Sequence, residues 1–136
     1  WQSPLLSLHL SVQALAAGAG IAVLLSSYSS SLGHKLPRFL AATLMVHLAL
    51  IAFDEAIRVL RCEKTDDAAK AAHIMLYGRY AKYFWMGIGL AVLSVGCALW
   101  GEPIVTVGVF AGLTSLASLA FYEHAWNLAG QAPPLS

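Results

Sequence analysis

Four long stretches of this chain are predominantly apolar: Ser3–Ser26, Leu36–Arg61, Tyr83–Trp100 and Ile104–Trp126. Short polar runs separate them. The hydrocarbon core of a bilayer is about 30 Å thick and takes about 20 apolar residues of helix, so each stretch is long enough to cross. Residues 66–80 mix charged and apolar positions and predict a short interfacial helix between spans two and three. Thr65 suits its N-cap, with Asp66 and Asp67 as the acids of its first turn. Pro37 fits the first turn of span two, where a missing amide costs nothing. Ala16, Ala17, Gly18 and Gly20 in span one let helices approach closely in lipid, as do Gly108, Gly112, Ser115 and Ser118 in span four. The pattern predicts an all-α, integral membrane four-helix transmembrane bundle, with residues 1–136 forming a single transmembrane domain.

Composition agrees. The chain is 59% hydrophobic and only 11% charged, against about 25% charged in soluble domains. A net charge of +1 gives no reason to expect nucleic acid. Cys62 and Cys97 fall near opposite membrane faces, about 20 Å apart on helical rise, too far for a disulfide. They read as packing residues, and no metal site is expected. The first apolar run is too long for a signal peptide, and a chain starting at Trp1 reads as part of something longer. Aromatic residues Tyr77, Tyr80, Tyr83, Phe84 and Trp85 gather where a membrane-interface belt belongs. Six positive residues (Arg58, Arg61, Lys64, Lys70, Arg79, Lys82) fall on the side of the long loop, against Lys35 and Arg38 opposite. The positive-inside rule then places that loop and both termini in the cytoplasm.

Ionisable side chains at membrane depth cost about 2.5–3.5 kcal/mol each on insertion scales and usually face a cavity or partner. His47, Asp54, Arg58 and Arg61 follow spacings of 7, 4 and 3, which keeps them in one stripe of span two. His47, Asp54 and Arg58 are therefore candidates for a proton path, with an Asp54–Arg58 ion pair as the plain structural alternative. Arg61 is expected to snorkel to the interface. His9 and Gln13 stand one turn apart in span one, while Glu123 and His124 close span four. These four form a candidate pocket for a quinone headgroup, whose carbonyl oxygens need donors. A b-type haem is the rival, since it needs two imidazoles at one depth. His9 and His124 match in depth on this reading, whereas His47 is placed nearer mid-membrane without a partner. A purely structural scaffold is the third reading. No phosphate loop, nucleophile elbow or zinc-protease motif occurs.

Three stretches carry a family resemblance. LYGRYAKYFW at Leu76–Trp85, leading into a Gly-rich helix, resembles a signature of the NrfD/polysulfide reductase membrane-subunit family. EHAWNLAGQAPPLS at Glu123–Ser136 is similar to that family's closing segment, and SPLLSLHLSVQALAAGAG to its fifth helix. The resemblance implies the C-terminal half of a longer eight-helix subunit, a non-catalytic anchor in the cytoplasmic membrane of a prokaryote. It implies menaquinone or ubiquinone as exchangeable ligand and no haem. The implied partners are a ferredoxin-like iron–sulfur subunit and a molybdopterin or tungstopterin catalytic subunit, beside membrane lipid. In the family much of the quinone pocket belongs to the first bundle, which this sequence lacks.

Overall fold

The computed structural model describes residues 5–26, 35–60, 66–100 and 105–132, without the side chains at 57–60, 66 and 105. Arg61, Cys62, Lys64, Thr65 and the Gly101–Pro103 turn lie outside the described residues, as does the side chain of Arg58. Every element among them is a helix: α1 (Leu6–Ser26), α2 (Lys35–Leu60), α3 (Asp66–Leu76), α4 (Ala81–Trp100) and α5 (Val105–Gln131). All but α3 are long and apolar enough to cross a membrane. The protein is a multi-pass, all-α membrane bundle.

The four spans form a ring in the order α1, α2, α4, α5. Helix α1 packs on α2 and α5, and α4 packs on the same two. Helices α2 and α5 also meet across the middle, and α3 lies against α4 and α5. Neighbouring spans are antiparallel. Ala16, Ala19 and Val23 of α1 share a core with Leu40, Ala41 and Leu44 at the start of α2. At the other end, Phe84 of α4 and Tyr122 of α5 share a second core with Ile51 and Met75.

Small residues line much of the interior, and many large apolar side chains face outward. Ala16, Ala41, Ala91, Ala98, Ala111, Ser94 and Ser115 are almost fully buried, while Leu8, Leu15, Phe39, Phe53, Val92, Leu113 and Trp100 are exposed. In water such an apolar exterior would aggregate; in lipid it is solvated, and close packing of small residues holds the helices together. Gly20 and Gly112 mark the closest approach of α1 and α5. A Cβ on Gly112 would sit 2.9 Å from the Gly20 carbonyl. Ser94 Oγ donates to the Ala111 carbonyl at 2.7 Å, tying α4 to α5.

Two boundaries differ from expectation. Helix α5 continues to Gln131 rather than ending near Trp126, because hydropathy ends there but no helix breaker comes before Pro133. The interfacial helix stops at Leu76 instead of running to Tyr80, and α4 starts at Ala81. Tyr77 and Gly78 both donate to the His73 carbonyl, at 2.9 and 3.1 Å, closing the end of α3. A Cβ at Gly78 would lie 2.8 Å from Ile74 Cα, so this turn needs glycine.

Candidate functional site

Small residues bring α5 close enough to its neighbours that its large side chains reach across the bundle. At Gly87, an added Cβ would stand 3.0 Å from the Tyr122 nitrogen and 3.1 Å from the Ser118 carbonyl. The α4 backbone thus presses directly on α5 at Tyr122. The tyrosine ring is directed toward α1 and α2, and it is only 3% exposed.

Four rings from three spans converge there. His9 of α1 stacks on Tyr122 with centroids 5.5 Å apart and planes 14° apart. His47 of α2 meets His9 edge to face at 4.8 Å and Tyr122 edge to face at 5.1 Å. Trp126, one turn beyond Tyr122, lies 6.2 Å from both the His9 and the Tyr122 rings. Phe84 of α4 closes the far side, 6.0 Å from Tyr122. Edge-to-face and offset arrangements of this kind are the favoured geometries for aromatic quadrupoles. His47 is 1% exposed, and its Nδ1 is buried with no hydrogen-bond partner among the described residues. His9 and Trp126 are half-buried, so the cluster reaches the outer surface of the bundle.

His9 and His47, one candidate from each group inferred from sequence, therefore meet. His9, expected near the membrane face, shares its depth with His47, expected nearer the middle without a partner. The reason is that α2 extends to Leu60, well past the start of α1, so an early position on one helix lies beside a mid-helix position on the other. Gln13, one turn from His9, is also buried. Glu123 and His124 do not join them. They occupy the outward side of α5 and are exposed, with His124 resting edge to face on Tyr83 of α4 at 4.9 Å. His9 and His124 are thus not placed to share a ligand. The His9 and His47 rings meet edge to face, 74° apart in plane.

Asp54 is buried on the same face of α2 as His47, about 10.5 Å further along the axis at 1.5 Å per residue. Ile51 stands between them and packs in the core with Tyr122 and Phe84. A proton passing from His47 to Asp54 needs an intermediate carrier, because the separation exceeds a hydrogen bond several-fold. Three buried hydroxyls elsewhere donate to backbone carbonyls. Thr43 donates to Phe39 and Leu40, Thr114 to Phe110 and Ala111, and Ser115 to Gly112.

Tyr122 and Trp126 are the residues that sequence reading did not single out. The signal for them is the small-residue seam of α5. Extending Ser115 and Ser118 by one helical turn lands on Tyr122, and by another on Trp126. The seam is an inward face, so large polar aromatics that continue it must point into the bundle. No family model, curated protein or solved structure matches the chain.

Proposed function

We propose that this chain is the quinone-interacting membrane subunit of a multi-subunit oxidoreductase, holding the headgroup at the His9–His47–Tyr122–Trp126 cluster. The observation that carries this reading is His47. A buried imidazole nitrogen without a hydrogen bond costs free energy, and such a group in a membrane interior is a functional site by default. An imidazole nitrogen can donate to a quinone carbonyl or accept from a quinol hydroxyl. The flanking rings of His9, Tyr122 and Trp126 offer planar apolar surface to a planar headgroup, and Gln13 adds an amide one turn away. The half-buried edge of the cluster lets a lipid-soluble ligand approach from the bilayer.

The quinone supplies two-electron, two-proton chemistry; the protein binds it and moves protons. Asp54 serves as the proton group between the cluster and the membrane face, with Arg58 a turn beyond it. The electrons exchange with a ferredoxin-like iron–sulfur subunit, itself serving a molybdopterin or tungstopterin catalytic subunit. This assignment of partners, and the cytoplasmic membrane of a prokaryote as location, rests on the NrfD-like resemblance of Leu76–Trp85 and Glu123–Ser136.

The test is quinone binding by the complex purified with its native partners, wild type against His47→Phe. Phenylalanine keeps the ring contacts and removes both nitrogens. One lost hydrogen bond of about 1.4 kcal/mol weakens binding about tenfold. Unchanged quinone affinity and turnover would refute the site. A reduced-minus-oxidised spectrum with a haem b band assigned to this chain would replace the quinone reading with a cytochrome.

A further inference from the structure

The connection from α3 to α4 carries a second candidate site, separate from the histidine cluster and independent of the quinone reading. Residues 77–80 turn the chain from the interfacial helix into a membrane span, so this segment sits at the boundary of the apolar region. It is held from both sides. Tyr77 and Gly78 donate back to His73, the Trp85 indole nitrogen donates to the Leu76 carbonyl at 3.1 Å, and Tyr83 and Phe84 donate to the Tyr80 carbonyl at 3.0 and 3.2 Å. Met75 and Phe84 anchor it in the core beneath.

Two exposed cations project from this fixed turn. The Arg79 guanidinium lies over the Tyr80 ring at 4.8 Å, and the Lys82 ammonium lies over the Tyr83 ring, also at 4.8 Å. Neither has a carboxylate within ion-pair distance among the described residues. The nearby Lys70 differs, because it pairs with Asp67 at 3.5 Å. The exposed Tyr77 hydroxyl flanks the same turn. Each cation is therefore positioned by an aromatic face yet keeps its N–H donors for another acceptor.

We infer that the turn binds the phosphate of an anionic phospholipid. Arg79 offers a planar fork that matches two phosphate oxygens, and Lys82 adds a compact charge three residues on. Cation–π contact orients both groups without neutralising them. Tyr83 and Trp85 follow the turn into the first turns of α4, beside which the acyl chains of a bound lipid would run. The location fits as well, since a cytoplasmic leaflet rich in anionic lipid attracts basic residues beside a span.

The test uses the full purified protein, delipidated in detergent and titrated with phosphatidylglycerol or phosphatidylcholine while native mass spectrometry counts retained lipids. The wild type is expected to retain phosphatidylglycerol in preference to phosphatidylcholine. Arg79→Gln with Lys82→Gln is expected to weaken that retention about thirtyfold, near fivefold per cation, while Lys70→Gln leaves it unchanged. Equal retention by wild type and the double variant overturns the proposal, as does an equal loss in Lys70→Gln, which would mean diffuse surface charge. Thermal unfolding of each variant shows that it is folded, so failure to fold cannot imitate loss of the site.

Discussion

Two glycines of α4, Gly87 and Gly89, provide an internal comparison for how the candidate site is held. Alanine at either position gains up to about 1 kcal/mol in helix propensity. At Gly89 nothing lies within 4 Å of the added methyl, so the gain should stand alone. At Gly87 the methyl would meet three backbone atoms of α5 at 3.0, 3.1 and 3.3 Å. Ordinary carbon contacts lie near 3.5–4.0 Å, so α4 and α5 must separate by roughly 0.5 Å or distort. Backbone cannot swing aside as a side-chain tip can, and overpacking of this kind costs about 1–3 kcal/mol. Gly87→Ala is therefore expected to be less stable than Gly89→Ala by about 1–3 kcal/mol. Reversible SDS unfolding in mixed micelles, followed by tryptophan fluorescence, measures the difference. Because the displaced atoms belong to Tyr122, Gly87→Ala should also weaken quinone binding, and Gly89→Ala should not. A Gly87→Ala protein as stable as Gly89→Ala would refute the close approach of α4 and α5, and with it the placement of Tyr122.

Removing the interhelical hydrogen bond with Ser94→Ala should cost only about 0.6 kcal/mol, the average for such bonds in membranes. The acceptor, the Ala111 carbonyl, keeps its place in the α5 ladder; a loss above about 2 kcal/mol by the same unfolding assay would mean that Ser94 does more than link two helices. Asp54→Asn keeps the shape and hydrogen-bonding capacity of the buried side chain while removing its titratable proton. It should leave the complex assembled on size-exclusion chromatography and lower quinone-linked turnover about a hundredfold, the low end for a lost proton-transfer group. Full turnover in this variant would reduce the α2 stripe to a structural feature.

Much of the architecture was legible because a membrane imposes it. Backbone polar groups in lipid must be satisfied within a helix, so Leu6–Ser26 and its counterparts follow from apolar length alone. Element ends were harder. Hydropathy reports where lipid ends, whereas α5 ends only where its backbone bonding does, at Gln131. The break at Gly78 depends on a contact with the Ile74 backbone that no periodicity reveals. The candidate cluster was legible in part. His9, Gln13, His47 and Asp54 were found because polar groups at depth are conspicuous, and all four are buried or partly so. Their grouping was not found, because it depends on how far α1 and α2 are offset along their axes. Glu123 and His124 drew notice over Tyr122 by formal charge, yet the inward seam of α5 selects Tyr122.

The histidine–aromatic cluster also bears on the order in which the chain is made. His9 and His47 belong to the α1–α2 hairpin, whereas Tyr122 and Trp126 belong to α5, made later. During synthesis the two imidazoles enter the bilayer before their aromatic partners exist. Their edge-to-face contact at 4.8 Å lies within the α1–α2 hairpin and does not depend on α5. The cluster itself is completed only when α5 inserts. Ribosome stalling within α5 should accordingly yield an inserted hairpin that lacks the finished cluster.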